Sequence, residues 1–274
     1  MEQLYLKLLK QSLLGDLYRE NEVRLLYLRD CVEGRDVYSP DTLLRIEDRR
    51  RGFCDHYREL NQTGRLVDDR LENLGYQHTM AGRARLENVA ACLETIRRER
   101  VPGDLIECGV WRGGVTVFMR GFLKAFGIGD RTVWVADSFA GPPPPSLPQD
   151  AGNDLSFAKY PMLAISLESV QDVFARYDLL DGQVRFLPGW FKDTLPCAPI
   201  ERLALLRIDG DLYESTWDAL SALYPRLSAG GFVIVDDYHC IPGCQQAVDE
   251  YRQREGIATP LEAIDWTGVF WQKA

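Results

Sequence analysis

Over residues 1–100 the apolar side chains recur at helical rather than strand spacing. Leu6, Leu9, Leu13 and Leu14 share one helical face, and Val23, Leu26 and Leu28 resume the pattern after a break near Asn21. LENVAACLETIRRER carries Leu86, Val89, Leu93 and Ile96 on one face and is stopped by Pro102-Gly103. From Asp104 the texture changes. The short apolar runs LIECGV, TVWVAD, VRFLPG, RLALLRID and GGFVIVDD are bounded by glycine, proline or acid. They alternate with the helical stretches VTVFMRGFLKAFG, LESVQDVFARYDLL, STWDALSALYPRL and GCQQAVDEYRQREG. Strands alternating with helices of this length predict right-handed β-α-β units and a parallel sheet. AIDWTGVFWQKA predicts a closing antiparallel hairpin around Thr267-Gly268. The expected architecture is therefore α/β: a helical N-terminal extension over 1–100 and a core over 101–274, with no internal repeat.

In such sheets ligands sit at the carboxyl ends of the strands, where the conspicuous glycines and acids of this chain fall. In Glu107-x-Gly109-x-x-x-Gly113-Gly114 the glycines allow a sharp turn and a close ligand approach. A following helix N-terminus favours a carboxylate. The spacing is not G-x-G-x-x-G, so no pyrophosphate cradle is indicated. Asp137 ends TVWVAD and can accept from ribose hydroxyls or cap a turn. A glycine turn plus this acid suits either S-adenosylmethionine or a nicotinamide cofactor. Trp190 and Phe191 in LPGWFKDTLP can wall a ligand or fill the core.

Asp209 ends LLRID and Asp236 ends FVIVD, and carboxylates gathered at neighbouring strand ends repel unless a cation or proton intervenes. All-oxygen donors suit Mg²⁺ or a similar hard ion. The alternative is that Asp236 or Asp237 caps the next helix. Coordination to a dication acidifies a hydroxyl, and a nearby carboxylate can take its proton. Asp211 is the natural base, with His239 as the other nearby group able to orient an acceptor. His56 and His78 fall in the helical region and read as structural. His239-Cys240-x-x-x-Cys244 has half the ligands of a zinc site, but Pro242-Gly243 between them reads as a turn. The Pro-rich stretch 141–148 predicts a stiff extended loop, and it and the chain to about Ser166 are expected to cover the acceptor.

Composition narrows the classes. With 274 residues, 46% of them hydrophobic, the chain can bury a full core. A net charge of −9 argues against nucleic acid or an anionic membrane surface as partner. The arginines of 45–51 and 97–100 are interleaved with acids, as on a solvated helix face. No segment has the length and apolarity of a membrane span, and the N-terminus lacks the marks of a signal peptide. Seven scattered cysteines without a CxxC suit free thiols in a reducing cytoplasm.

HTMAGRARLEN, VPGDLIECGVWRGGVTVFMRG, VWVADSFAG, LLDGQVRFLPGWFKDTLP, LALLRIDGDLYEST, YPRLSAGGFVIVDDYHCIPGCQQAVDEYR and IDWTGVFWQK, taken together from about His78 onward, resemble the macrocin O-methyltransferase family. These enzymes methylate deoxysugar hydroxyls on macrolide and aminocoumarin antibiotics. The resemblance implies a class I, Rossmann-like methyltransferase fold with a mostly parallel seven-stranded sheet and an antiparallel C-terminal hairpin. It implies Mg²⁺, or Mn²⁺, at Asp209, Asp236 and Asp237, with Asp211 as proton acceptor. S-adenosylmethionine is implied against Glu107, Gly109, Asp137, Ser138 and Asp209, with Thr79 and Met80 closing over it. The implied acceptor is a glycoside or sugar; a nucleotide-sugar or small catechol would use the same chelate. The N-terminal part, which matches only loosely, is implied in the acceptor pocket and in homo-oligomer contacts. Cys108 departs from the small hydroxyl residue expected there, and the lysine base of catechol O-methyltransferase has no counterpart in IDGDLYES. Two rival readings remain from the residues: a nicotinamide oxidoreductase, disfavoured by the missing fingerprint, and a non-catalytic S-adenosylmethionine-binding module, disfavoured by the intact acids.

Overall fold

The computed structural model describes residues 1–63, without the side chains of 60–63, and residues 77–274; residues 64–76 lie outside the described residues. Each apolar run becomes a strand: β1 (Asp104–Cys108), β2 (Val133–Asp137), β3 (Val184–Pro188), β4 (Leu203–Ile208) and β5 (Leu227–Val235). All five are parallel. The closing hairpin adds β6 (Glu262–Ala263) and β7 (Val269–Gln272), and β7 runs antiparallel to β5. The seven-stranded order is β3-β2-β1-β4-β5-β7-β6. The chain reverses its direction of travel across the sheet between β1 and β4, which opens a ligand crevice above their carboxyl ends.

The helices follow the apolar periodicity. The N-terminal region holds α1 (Glu2–Leu13), α2 (Arg19–Val32), α3 (Pro40–Leu44), α4 (Ile46–Arg49), α5 (Arg51–Thr63) and α6 (Gly82–Glu99). After β1 come α7 (Gly114–Ala125), α8 (Leu167–Arg176), α9 (Phe191–Thr194), α10 (Tyr213–Leu223) and α11 (Pro242–Arg254). Strand residues alternate between two cores. Leu105, Val133, Val135, Leu205 and Ile234 pack against α1, α6, α7 and α8. Ile106, Trp134, Leu206, Val233 and Val235 pack against α10 and α11 on the other face. Leu6, Leu9 and Leu13 of α1 are buried in the first of these cores, worth about 1.5–3 kcal/mol each on transfer alone. A smaller cluster of Val23, Leu26, Tyr27, Ile46, Cys54 and Tyr57 holds α2, α4 and α5 together.

One helix start bears directly on the crevice. α7 begins at Gly113 in the left-handed region, φ +81°, and a Cβ on the next residue, Gly114, would meet the His78 carbonyl oxygen at 2.2 Å. The chain leading into α6 therefore lies directly on the start of α7. Among the described residues no helix is long and apolar enough to cross a membrane.

Candidate active site

Sheet register brings the charges together. Glu107 of β1 pairs with Arg207 of β4, and Arg207 with Ile234 of β5. Side chains in register point to the same face, and so do those two residues further along a strand. Glu107, Arg207, Asp209 and Asp236 therefore converge on the face covered by α6. The ladder continues past the strand ends, with Asp209 N–H donating to Cys108 O at 2.8 Å and Asp236 N–H to Ile208 O at 3.0 Å. Gly109, at φ +87°, must be glycine, because a Cβ there would lie 1.7 Å from the Asp209 carbonyl oxygen.

The centre of the cluster is Arg207, whose side chain is fully buried. Its guanidinium donates to Glu107, to Asp236, and to Asp209 Oδ2 at 2.9 Å. Arg85 of α6 donates to the other oxygen of Asp236 and, through Nε, to Asp265 Oδ2 at 2.9 Å. Against these two cations stand Glu107, Asp209, Asp211, Asp236, Asp237 and Asp265. The ligand atoms of Asp209, Asp236 and Asp237 all lie within 4.8 Å of one another. At that separation two full charges repel by about 3 kcal/mol at an effective dielectric of about 20.

The acids respond accordingly. Burial pushes Asp237 well above the usual carboxylate range, helped by the charges of Asp211 and Asp209. Burial lifts Asp211 to about 8, again with Asp209 and Asp236 adding to it. Asp209 is raised by burial and by Asp236, against the pull of Arg207, although its side chain keeps 33% exposure toward the crevice. Glu107 is raised by burial to about 8 despite Arg207. Asp236 is the exception: burial opposes its charge, but Arg207 and Arg85 hold it below the ordinary value. Asp237 Oδ2 is buried without a partner. Neither Asp236 nor Asp237 caps α11, whose N-cap residue is Ile241 and which has no side-chain cap. The helix-cap alternative for these acids therefore falls.

Asp137 does tie a turn: it accepts Val110 N–H and Phe139 N–H, both at 2.8 Å, one on each oxygen. Ser138 Oγ lies 3.5 Å from Oδ1, and the carboxylate also lines the cavity, where it can accept from a ligand hydroxyl. Ser138 Oγ donates to Gly141 O at 2.7 Å and shapes the start of the Pro-rich loop.

These groups line one cavity of about 360 Å³, within the usual range for small-molecule sites. Met80, Gly109, Asp137, Ser138, Asp209, Asp211, Asp236 and Asp237 are all on its wall. Glu107 is instead sealed beneath it against Arg207, and Thr79 is buried with its hydroxyl accepting Ala81 N–H at 3.0 Å. Pro142, Pro143, Leu155, Tyr160, Met162 and Leu163 of the covering segment line it, as do Trp190 and Phe191. Phe191 also packs on the core beside α10, so for that ring both readings hold. His239 is exposed and off the wall. Cys244 is buried in the core, which leaves the zinc reading without a ligand set.

Sequence reasoning passed over Arg85, Arg207, Asp265 and Trp111. Arg207 had a signal, a cation inside the apolar run LALLRID at the alternation position of Leu205. Arg85 had a weaker one, four residues before Val89 on the apolar face of α6.

The family described as Macrocin-O-methyltransferase (TylF) matches the chain over residues 2–273. Demethyldecarbamoylnovobiocin O-methyltransferase of Streptomyces niveus is 58% identical over 199 residues, covering 72% of this chain and 76% of its own. Mycinamicin III 3''-O-methyltransferase of Micromonospora griseorubida is 55% identical over 201 residues, covering 72% and 79%. Among solved structures, the O-methyltransferase NovP superposes with a TM-score of 0.81 at 46% identity over 100% of both chains.

Proposed function

The chain belongs to the macrocin O-methyltransferase family and is an O-methyltransferase of the S-adenosylmethionine-dependent class, and on that footing we propose that it methylates a sugar hydroxyl of a glycosylated natural product, using a divalent cation, Mg²⁺ or Mn²⁺. The observation that carries the metal part is the trio Asp209, Asp236 and Asp237, with the orphaned Asp237 Oδ2 among them, on the wall of the cavity that the glycine turn also lines. Six acids against two arginines leave a deficit of positive charge that a hard dication would fill, and the all-oxygen donor set fits one. Asp209, Asp236 and Asp237 would hold such an ion, which would supply Lewis acidity to the hydroxyl to be methylated.

The chain's own residues do the rest. Asp211, facing the same cavity, accepts the hydroxyl proton on its carboxylate. Gly109 gives the cofactor close access to the backbone. Asp137 and Ser138 offer hydrogen-bonding oxygens for a ribose, and Met80 and Thr79 form the cover from the α6 side. Glu107 and Arg207 hold the acids in register rather than touching ligand. The Pro-rich segment excludes water, and aromatic walls at Trp111, Tyr160, Trp190 and Trp266 offer apolar faces to the acceptor. We assign residues 1–100 to acceptor cover and subunit contacts, and 101–274 to the cofactor-binding core. Leu4, Leu8, Leu17, Val32, Val37 and Leu44 are exposed on the N-terminal helices and their links, which favours homo-oligomerisation.

Calorimetry with Mn²⁺ and S-adenosylmethionine separates the parts of this reading. Asp237→Asn should lose Mn²⁺ binding and keep S-adenosylmethionine; unchanged Mn²⁺ affinity would remove Asp237 from the ion's shell.

A further inference from the structure

The turn between β1 and α7 does more than approach a cofactor. Its Trp111 sits at φ +47°, a backbone conformation that bulky side chains rarely adopt. What holds it there is contact on two sides. The indole N–H donates to Met162 O at 3.1 Å, in the segment that covers the acceptor part of the cavity. The guanidinium of Arg112 stacks on the indole at 4.4 Å from the ring centroid. The same guanidinium donates to Gln77 O at 3.0 Å, just ahead of Thr79 and Met80. The turn is itself tied to β2, since Asp137 accepts Val110 N–H. The covering segment is anchored further back by Asp150, which is fully buried and accepts Tyr213 N–H at 2.6 Å at the start of α10. Between that anchor and Met162 the cover reaches the cofactor turn through Trp111.

We propose that Trp111 is a positioning residue that couples cofactor occupancy to closure of the 153–165 cover over the acceptor. The inference rests on the cofactor reading above. A ligand seated on Gly109 and Asp137 fixes the turn. The fixed turn holds the indole N–H on Met162 O, the bond already made here, and so steadies the cover over the acceptor. This ties acceptor affinity to cofactor occupancy, with no contact between Trp111 and the reacting atoms required.

The test is amide hydrogen exchange of the full chain with and without S-adenosylhomocysteine, in wild type, Trp111→Phe and Trp111→Leu. Phe keeps an aromatic ring for Arg112 while losing the N–H and part of the indole's width, so it guards against a variant that fails to fold. In wild type the ligand should slow exchange across 153–165 by roughly tenfold, the worth of about one net hydrogen bond. Trp111→Phe should bind S-adenosylhomocysteine with an affinity close to wild type yet lose most of that ligand-induced slowing, and Trp111→Leu should lose all of it. Equal slowing in Trp111→Phe and wild type would overturn the coupling, as would ligand binding to wild type that leaves 153–165 unchanged. No binding of S-adenosylhomocysteine to wild type would bring down the cofactor reading itself, and this inference with it.

Discussion

Replacing Arg207 by Met keeps roughly the volume of the side chain and removes a cation that touches three acids. Asp236 would retain Arg85, and Asp209 would retain its opening to the cavity. The loss therefore falls mainly on Glu107, which is 1% exposed and whose Oε2 already lacks a partner. Removing one member of a buried ion pair costs about 3–5 kcal/mol, because the remaining charge stays desolvated. For a chain of this size each kcal/mol moves the melting temperature by about 2–4 °C, so Arg207→Met should melt roughly 6–20 °C below wild type. Adding Glu107→Gln removes the stranded charge and should restore at least about 1–2 kcal/mol, measured as a double-mutant cycle by thermal and urea unfolding at pH 9, above the value of about 8 that Glu107 holds in the folded chain. The deficit of Arg207→Met should shrink as pH falls through 8, where Glu107 takes up its proton. A single variant within about 1 kcal/mol of wild type, or a double variant no better than the single, would refute this account of the cluster.

Asp211→Asn keeps a side chain that tolerates the observed φ of +60°, so it should fold and bind S-adenosylhomocysteine normally while turnover falls by about 10²–10⁴; near-normal turnover would move the base elsewhere. Gly109→Ala should lose several kcal/mol in urea unfolding together with cofactor affinity, since its Cβ would collide with the Asp209 carbonyl; wild-type stability would show that the two loops are not in contact. His78 is held by burial, with Arg112 adding to the effect, at a pKa of about 4 against an ordinary 6.5. The unfolded chain thus takes up a proton first as pH falls, and stability present above pH 6.5 is lost between pH 6.5 and 4. Because His78 is only half-buried, screening reduces the contribution to about 1–2 kcal/mol. His78→Gln should flatten that slope of the melting temperature, and an unchanged slope would contradict the assignment.

The fold was legible because each apolar run is bounded by turn-forming or acidic residues and each helix keeps one apolar face. Gly109 was legible for a similar reason, since a glycine at a strand end has few other uses. Asp137 could not be resolved from sequence, and the structure shows it tying two backbone N–H groups while also lining the cavity. Arg207 escaped notice because two of its three acid partners lie 100 and 29 residues away and meet it only through strand register. Arg85 reaches Asp236 across 151 residues from a helix packed on the sheet. The zinc reading rested on local spacing, and side-chain direction undid it: His239 faces solvent and Cys244 faces the core.

The central claim is cation-dependent methyl transfer to a sugar hydroxyl. Its most direct test is mass spectrometry of macrolide and aminocoumarin glycosides, nucleotide-sugars and a catechol, each incubated with the protein and S-adenosylmethionine. Every reaction is run with and without a chelator. The account predicts the mass of one added methylene on a glycoside, lost with chelator and restored by Mg²⁺ or Mn²⁺. Transfer that survives chelation would contradict the metal role of Asp209, Asp236 and Asp237, and transfer confined to the catechol would contradict the sugar acceptor.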